Sequence, residues 1–330
     1  ILFYEKILIR VLSFSLPKQE KINLKELARG AEINPNILLK AFYQADGLMI
    51  LSRFSIMKYL FKDFPRRDLP GCSSVVVSKE YTKNKSLLSM RNQDYPIVGP
   101  WEKNTLIAYC EPSEENHIPY MFVSSAGLHT AGLTSMNKAG LTVAAHAHFG
   151  KDISLSGSPI FHLGTKIISQ ATNLDEAINI AKNQKCHANW TLVVSSAKEN
   201  SAIAIELTPK KMFIRKMSEG KIAHTNFFQT QNLNNDEALI SGGRHNDDMA
   251  RLQRMHTFVE QNKGNIDERN LMSLSGDHWD PHTNHLRIFG NTLSVITTVK
   301  SVVFSPGDFT LFVSSRNKSP VGLGDFLKIN

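Results

Sequence analysis

The sequence predicts a layered α+β fold in which two antiparallel sheets lie between helices. Three observations carry that expectation. Residues 23–50 repeat their apolar positions with helical spacing. From residue 72 the chain turns to short β-type runs separated by turn residues. Two further helical blocks, 161–183 and 247–261, interrupt the strands instead of ending them.

In chain order, residues 7–16 are apolar but broken by Arg10, which fits an amphipathic helix or a strand. Asn23 with Glu26 reads as a capping-box start, and Leu24, Leu27 and Ala28 follow at helical spacing. Asn34-Pro35 opens a second helix with Ile37, Leu38, Ala41 and Phe42 as its apolar face. Residues 51–68 hold another apolar-periodic stretch that ends in a charged linker. Residues 73–78 and 87–92 predict a hairpin, and 105–109 and 120–124 further strands. Two strands flank the turn at 135–140, which Gly140 closes. A helix is expected over 161–171, and a second one, capped by Asn173, runs to about residue 183. Strands follow at 190–195, 202–207, 212–216 and 222–226. A helix over 247–261 presents Met249, Leu252, Met255 and Phe258 on one side. A His- and Asp-rich loop covers 275–290, and the strands 294–298, 301–305 and 310–314 close the chain.

Composition narrows the function. The apolar fraction, 42%, is that of a globular protein. Net charge is +8, but the basic residues are scattered and no dense run is interleaved with aromatics, which argues against a nucleic-acid partner. No stretch is long and apolar enough for a membrane span. The chain opens on Ile1-Leu2-Phe3-Tyr4 without a methionine, which reads as a trimmed or processed start. The compartment stays open, with the cytoplasm slightly favoured over periplasm or secretion. The three cysteines, Cys72, Cys110 and Cys186, form no CxxC pair. That argues against a disulfide framework or structural zinc, and a leftover thiol fits a nucleophile.

The chemistry gathers at Leu69-Pro70-Gly71-Cys72-Ser73-Ser74. Gly71 leaves the peptide bond before Cys72 unshielded, and Pro70 fixes the approach of the chain. Arg91 and Asp94 lie one hairpin away, a cation and a carboxylate for a thiol. A buried structural cysteine and a solvated salt bridge are the plainer readings of the same residues. His146 and His148 share one strand face, a spacing compatible with a metal pair, but no third ligand is nearby and no metal is expected. Arg251 and Arg254 lie at i, i+3, as in a basic helix stripe.

Several stretches resemble, in order and spacing, the acyl-coenzyme A:6-aminopenicillanate (isopenicillin N) acyltransferase-like family, cysteine N-terminal-nucleophile (Ntn) hydrolases of peptidase family C45 related to choloylglycine and penicillin V hydrolases. They are Glu26–Glu32 before the junction, Gly71-Cys72-Ser73-Ser74 at it, Arg91-Asn92-Gln93-Asp94, Gly132 to Leu141, His224-Thr225-Asn226-Phe227-Phe228, Arg251 with Arg254, an Asp277-His278 segment, and the closing strands. The resemblance covers roughly residues 25–330. It implies a four-layer αββα fold as one structural domain, with residues 1–71 as a helical pro-segment or α chain and 72–330 as the β chain. The two pieces stay associated after self-cleavage at Gly71-Cys72.

The resemblance also implies the roles. Cleavage frees the Cys72 α-amine, whose ordinary pKa near ~8 suits a general base. The Cys72 thiolate then attacks an acyl amide, and a thioester passes the acyl group to water or to an amine. Asp94 orients the amine, and Arg91 lowers the thiol pKa or holds an anionic group. Asn226 donates to the oxyanion, a contact worth ~3 kcal/mol, and Arg251 sits near the nucleophile. His146, His148, Asn189 and His224 are the expected substrate-side residues; Asn189 also opens a glycosylation sequon, taken as chance. His146 and His148 stand where relatives carry Asn or Tyr. No cofactor is required, although acyl-coenzyme A is an acceptable acyl donor, and the partner is a small acyl amide.

Two other classes compete. A papain-like cysteine peptidase would activate Cys72 with His224 or His278. A catalytically silent binding protein would keep the fold without cleavage. Acyl group, acceptor and oligomeric state are not readable from the residues.

Overall fold

The computed structural model describes residues 7–51, 71–95, 100–236, 242–314 and 321–330. The stretch 52–70 lies outside the described residues, and with it the linker, Leu69 and Pro70.

Two antiparallel sheets form the centre. The first runs in the order β10-β1-β2-β13-β14-β15. Its strands are β1 (Gly71–Val77), β2 (Leu88–Asp94), β10 (Lys221–His224), β13 (Thr298–Ser305), β14 (Thr310–Ser314) and β15 (Phe326–Ile329). The second runs sequentially from β3 (Thr105–Cys110) through β4 (Tyr120–Ser125), β5 (Thr134–Asn137), β6 (Leu141–His148), β7 (Asn189–Ser196) and β8 (Ser201–Leu207) to β9 (Met212–Lys216). Gly140 takes φ +83° between β5 and β6, a left-handed angle that glycine adopts without a Cβ clash.

Helices cover the outer faces. α1 (Ile9–Ser13), α2 (Lys18–Gly30), α3 (Pro35–Leu51), a short α4 (Pro100–Lys103), α5 (Ile160–Gln170) and α6 (Leu174–Lys182) come before β7. α7 (Gly242–Gln261) and α8 (Glu268–Ser275) follow β10, and β11 (Trp279–Asp280) and β12 (His285–Leu286) form a small hairpin. The outer face of the second sheet buries Leu141, Val143, Leu192 and Ile205 against Leu38, Phe42, Ile160 and Ile167 of α3 and α5. The outer face of the first sheet buries Val75, Val77, Met90 and Val303 against Met255, Val259, Leu271 and Leu274 of α7 and α8. Val76, Leu87, Ala144, Val193 and Ile222 pack between the sheets at one place, and Met121, Val123, Met136, Val302 and Phe304 at another. The layers are therefore αββα, with an apolar seam at each of three interfaces.

Several local expectations need correction. Asn23 does not start a helix: α2 begins at Lys18 behind Pro17, and Asn23 sits mid-helix, accepting a hydrogen bond from Gln19 Nε2 at 3.0 Å. Ile37 is 55% exposed; Leu38 and Phe42 carry the buried side of α3. α7 starts at Gly242, earlier than the periodicity indicates, and its fully buried apolar residues are Ala250, Met255 and Val259, with Met249 exposed. α8 lies in a stretch given no element from the sequence. Its capping box pairs Asp267 with Asn270, a box without the usual Glu.

Candidate active site

Cys72 is the second residue of β1, buried between the sheets and the helices. Register places Gly71 opposite Asp94, Cys72 opposite Gln93 and Ser74 opposite Arg91. The hairpin thereby delivers Arg91 and Asp94 to the two sides of Cys72. A Cβ at Gly71 would lie 2.9 Å from Asp94 Oδ2, so a larger residue at 71 would push the Asp94 carboxylate out of its place.

Arg91 is fully buried and donates from Nη2 to Cys72 Sγ at 3.3 Å. Burial pushes the thiol pKa up, Arg91 pulls it back, and the net direction is upward. The backbone N–H of Cys72 donates to Asn226 Oδ1 at 2.7 Å. Asn226 Nδ2 donates to the Ala147 carbonyl at 3.0 Å, which uses one of its two N–H groups. Asp94 accepts from Thr298 Oγ1 at 2.7 Å, and burial raises its pKa against the pull of Arg251.

Arg251 comes from α7 and is not on a solvated stripe; it is 1% exposed. Its Nη1 donates to the Cys72 carbonyl at 2.7 Å and to Ser73 Oγ at 2.9 Å. It is paired with Asp247 at 3.1 Å and with Asp248. Burial disfavours its charge, but Asp247, Asp248 and Asp94 outweigh that and hold its pKa above the ordinary value. Arg254, by contrast, pairs with Asp277 at 2.6 Å, away from this network. Sequence reasoning misses Asp247 and Asp248, although their i−4 and i−3 spacing to Arg251 is a readable helix signal.

Two cavities meet at this point. An apolar one of about 60 Å³ is lined by Cys72, Leu128, Ala147, Phe161, Trp190 and the α3 residues Ala41, Ala45, Leu48 and Met49. A roomier one of about 230 Å³ is lined by Gly71, Arg244, Asp247, Arg251, Arg287 and Asn291. Asp94 lines both.

The expected substrate-side residues lie elsewhere. His146, His148 and His224 are fully buried between the sheets and line neither cavity. His146 Nε2 meets Ser74 Oγ at 2.8 Å, and His224 Nε2 meets His148 Nε2 at 3.3 Å, so both contacts cross from one sheet to the other. Arg215 Nη2 and Gln229 Nε2 both donate to His224 Nδ1, at 3.1 and 3.3 Å. That nitrogen is therefore bare, Nε2 carries the proton, and His148 Nε2 accepts it. Burial holds the pKa values of His146 and His224 well below the ordinary value. His224 is a third histidine beside the pair, yet among the described residues no group is arranged to hold a metal ion. Asn189 also stays off the cavities: its Nδ2 donates to the Asp152 carbonyl at 2.8 Å, and it packs onto Gly150. His278, from the His-rich loop, has its Nδ1 on the Arg287 carbonyl at 2.9 Å.

Residues 81–319 match the family described as Acyl-coenzyme A:6-aminopenicillanic acid acyl-transferase. No curated protein matches the sequence. Among solved structures, an N-acylethanolamine-hydrolyzing acid amidase (NAAA) ortholog of Caenorhabditis elegans is similar at 15% identity and TM-score 0.47, over 72% of this chain and 93% of that one. A mutant form of the conjugated bile acid hydrolase of Clostridium perfringens is similar at 12% identity and TM-score 0.46, over 78% of this chain and 96% of that one. Penicillin V acylase of Agrobacterium tumefaciens is similar at 15% identity and TM-score 0.45, over 74% of this chain and 83% of that one. On the match that spans most of its length, the chain belongs to the acyl-coenzyme A:6-aminopenicillanic acid acyl-transferase family.

Proposed function

We propose that the protein cuts itself between Gly71 and Cys72 and then hydrolyses or transfers acyl groups at linear amide C–N bonds, in N-acyl amino acids, N-acyl amines or penicillin-type side chains. The observation that carries the reading is the setting of Cys72: its thiol is on Arg91 and its backbone nitrogen on Asn226. In the self-cleavage step the thiol attacks the Gly71 carbonyl and the amide becomes a thioester. The Gly71–Cys72 C–N bond breaks in that exchange and the Cys72 nitrogen, taking the thiol proton, becomes the free α-amine; water then cleaves the thioester, giving the Gly71 carboxylate and returning the Cys72 thiol. In turnover that amine takes the thiol proton and the thiolate attacks the substrate carbonyl. The C–N bond breaks, the leaving nitrogen takes the proton, and a thioester remains.

Each neighbour has a part. Asn226 Oδ1 already accepts from the nitrogen that becomes the amine, and its second Nδ2 hydrogen serves the oxyanion. Asp94, held by Thr298 and opposite Gly71 across the hairpin, is the group that orients the freed amine. Arg91 offsets the burial that raises the thiol pKa, and Arg251 fixes the Cys72 carbonyl. The acyl group enters the apolar cavity, where α3 supplies one wall, so the two pieces remain bound after the cut. The chemistry needs no cofactor, and an acyl-coenzyme A thioester is an alternative acyl donor to the same thiol. A peptidase mechanism with a histidine base fits less well: among the described residues the hydrogen-bond partner of the thiol is a guanidinium, and His224 and His278 are engaged with Arg215 and the Arg287 carbonyl.

The intact mass under denaturing conditions tests this. Two pieces parting at Gly71-Cys72 are expected, with Cys72→Ala remaining one chain and losing amidase activity. A wild type still whole after days at neutral pH refutes the self-cleaving mechanism.

A further inference from the structure

The roomier cavity is not used by the acyl group in the reading above. It lies across Asp94 and Gly71 from the apolar slot, so a substrate whose carbonyl reaches Cys72 has its acyl part on one side and its amine part on the other. Arg244 and Arg287 both face it. A Cβ at Gly71 would be 3.6 Å from Arg244 Nη2, which places that guanidinium beside the reacting centre.

The carboxylates around these cations are shared. Asp248, 3.3 Å from Arg244 Nε, is also bound by Arg251. Asp280, 3.1 Å from Arg287 Nη1, also accepts from Thr283 and Asn291. Asp247 is held by Arg251 and by the Asn291 backbone N–H. A guanidinium has five N–H donors in a planar fork that matches a carboxylate. Asn246 adds an amide to the wall, and Phe289 and Ile296 add an apolar rim.

We infer that this cavity is the amine-side subsite and that it selects a leaving group bearing a carboxylate, an α-amino acid with an apolar side chain. The carboxylate meets Arg244 and Arg287, and the side chain lies on Phe289 and Ile296. This inference rests on the hydrolase reading and narrows it from linear amides in general to N-acyl amino acids.

The test uses the full-length protein and two amides that differ only in the carboxylate, N-octanoyl-L-phenylalanine and N-octanoyl-phenethylamine. p-Nitrophenyl octanoate reads acylation of Cys72 with no amine side. The wild type is expected to favour the amino acid amide by tenfold or more in kcat/KM, roughly the value of one charge-assisted contact. Arg287→Gln is expected to bring that ratio close to one, mainly through KM for the amino acid amide. Arg287→Lys keeps the charge and retains part of the ratio, and it decides the matter if the Gln variant does not fold. A wild-type ratio near one overturns the inference and leaves the hydrolase reading standing. A ratio unmoved in both Arg287 variants also overturns it. Failure of the ester to acylate Cys72 overturns both readings.

Discussion

Asp46 of α3 accepts the indole N–H of Trp190 at 2.9 Å and the backbone N–H of Ile160, the first residue of α5, at 3.1 Å. A carboxylate that precedes Cys72 in the chain thus ties α3 to the second sheet and to a helix start, through a tryptophan that also lines the apolar cavity. Burial pushes its pKa up to about 7 in spite of both donors. The folded protein therefore keeps a proton on Asp46 that the unfolded chain releases near pH ~4. Stability from this group is complete in acid and lost as pH rises toward 7. Relative to Asp46→Asn, the wild type is expected to lose on the order of 4 kcal/mol across that window. Urea unfolding of both proteins from pH 4 to 8 measures it, and a difference that stays flat refutes the assignment.

Arg91→Ala removes the cation that opposes burial at Cys72. The thiol pKa is expected to rise further, so alkylation by iodoacetamide at neutral pH slows about tenfold per unit of rise. Peptide mass mapping reads Cys72 against Cys110 and Cys186 in the same sample. Unchanged labelling of Cys72 would show that Arg91 does not set its reactivity.

His146 and His224 act with the opposite sign to Asp46. Their folded pKa values lie below the ordinary value, so in acid the unfolded chain binds protons that the folded protein refuses. Their stability is complete above pH ~6.5 and is lost as pH falls, at up to ~1.4 kcal/mol per pH unit for each group. His224→Gln is expected to make the acid limb of the stability curve shallower by one such slope. Equal acid limbs in wild type and variant would mean that His224 takes up its proton in the folded state.

The layered fold was legible because strands and helices alternate with clear periods. The hairpin that carries Cys72, Arg91 and Asp94 follows from two short apolar runs around a polar turn. The Asn226 and Arg251 contacts were open only through family motifs, since helix spacing alone also fits a solvated stripe. What decides against that stripe is the docking of α7 on β1, a long-range contact with no local signal. The histidines show the same limit. His146 and His148 share a face by period, but His224 joins them only when β10 pairs with β1 and the sheets stack. α8 stayed hidden because eight residues with an Asp–Asn box resemble a loop.

The wall that α3 gives to the apolar cavity has a consequence for how this protein changes. Ala41, Gln44, Ala45, Leu48 and Met49 belong to the segment ahead of Cys72, yet they line the apolar cavity beside the thiol, the room that the proposed reaction gives to the acyl group. A random library confined to these five positions would retune chain-length preference without altering a single residue of the nucleophile's own strand.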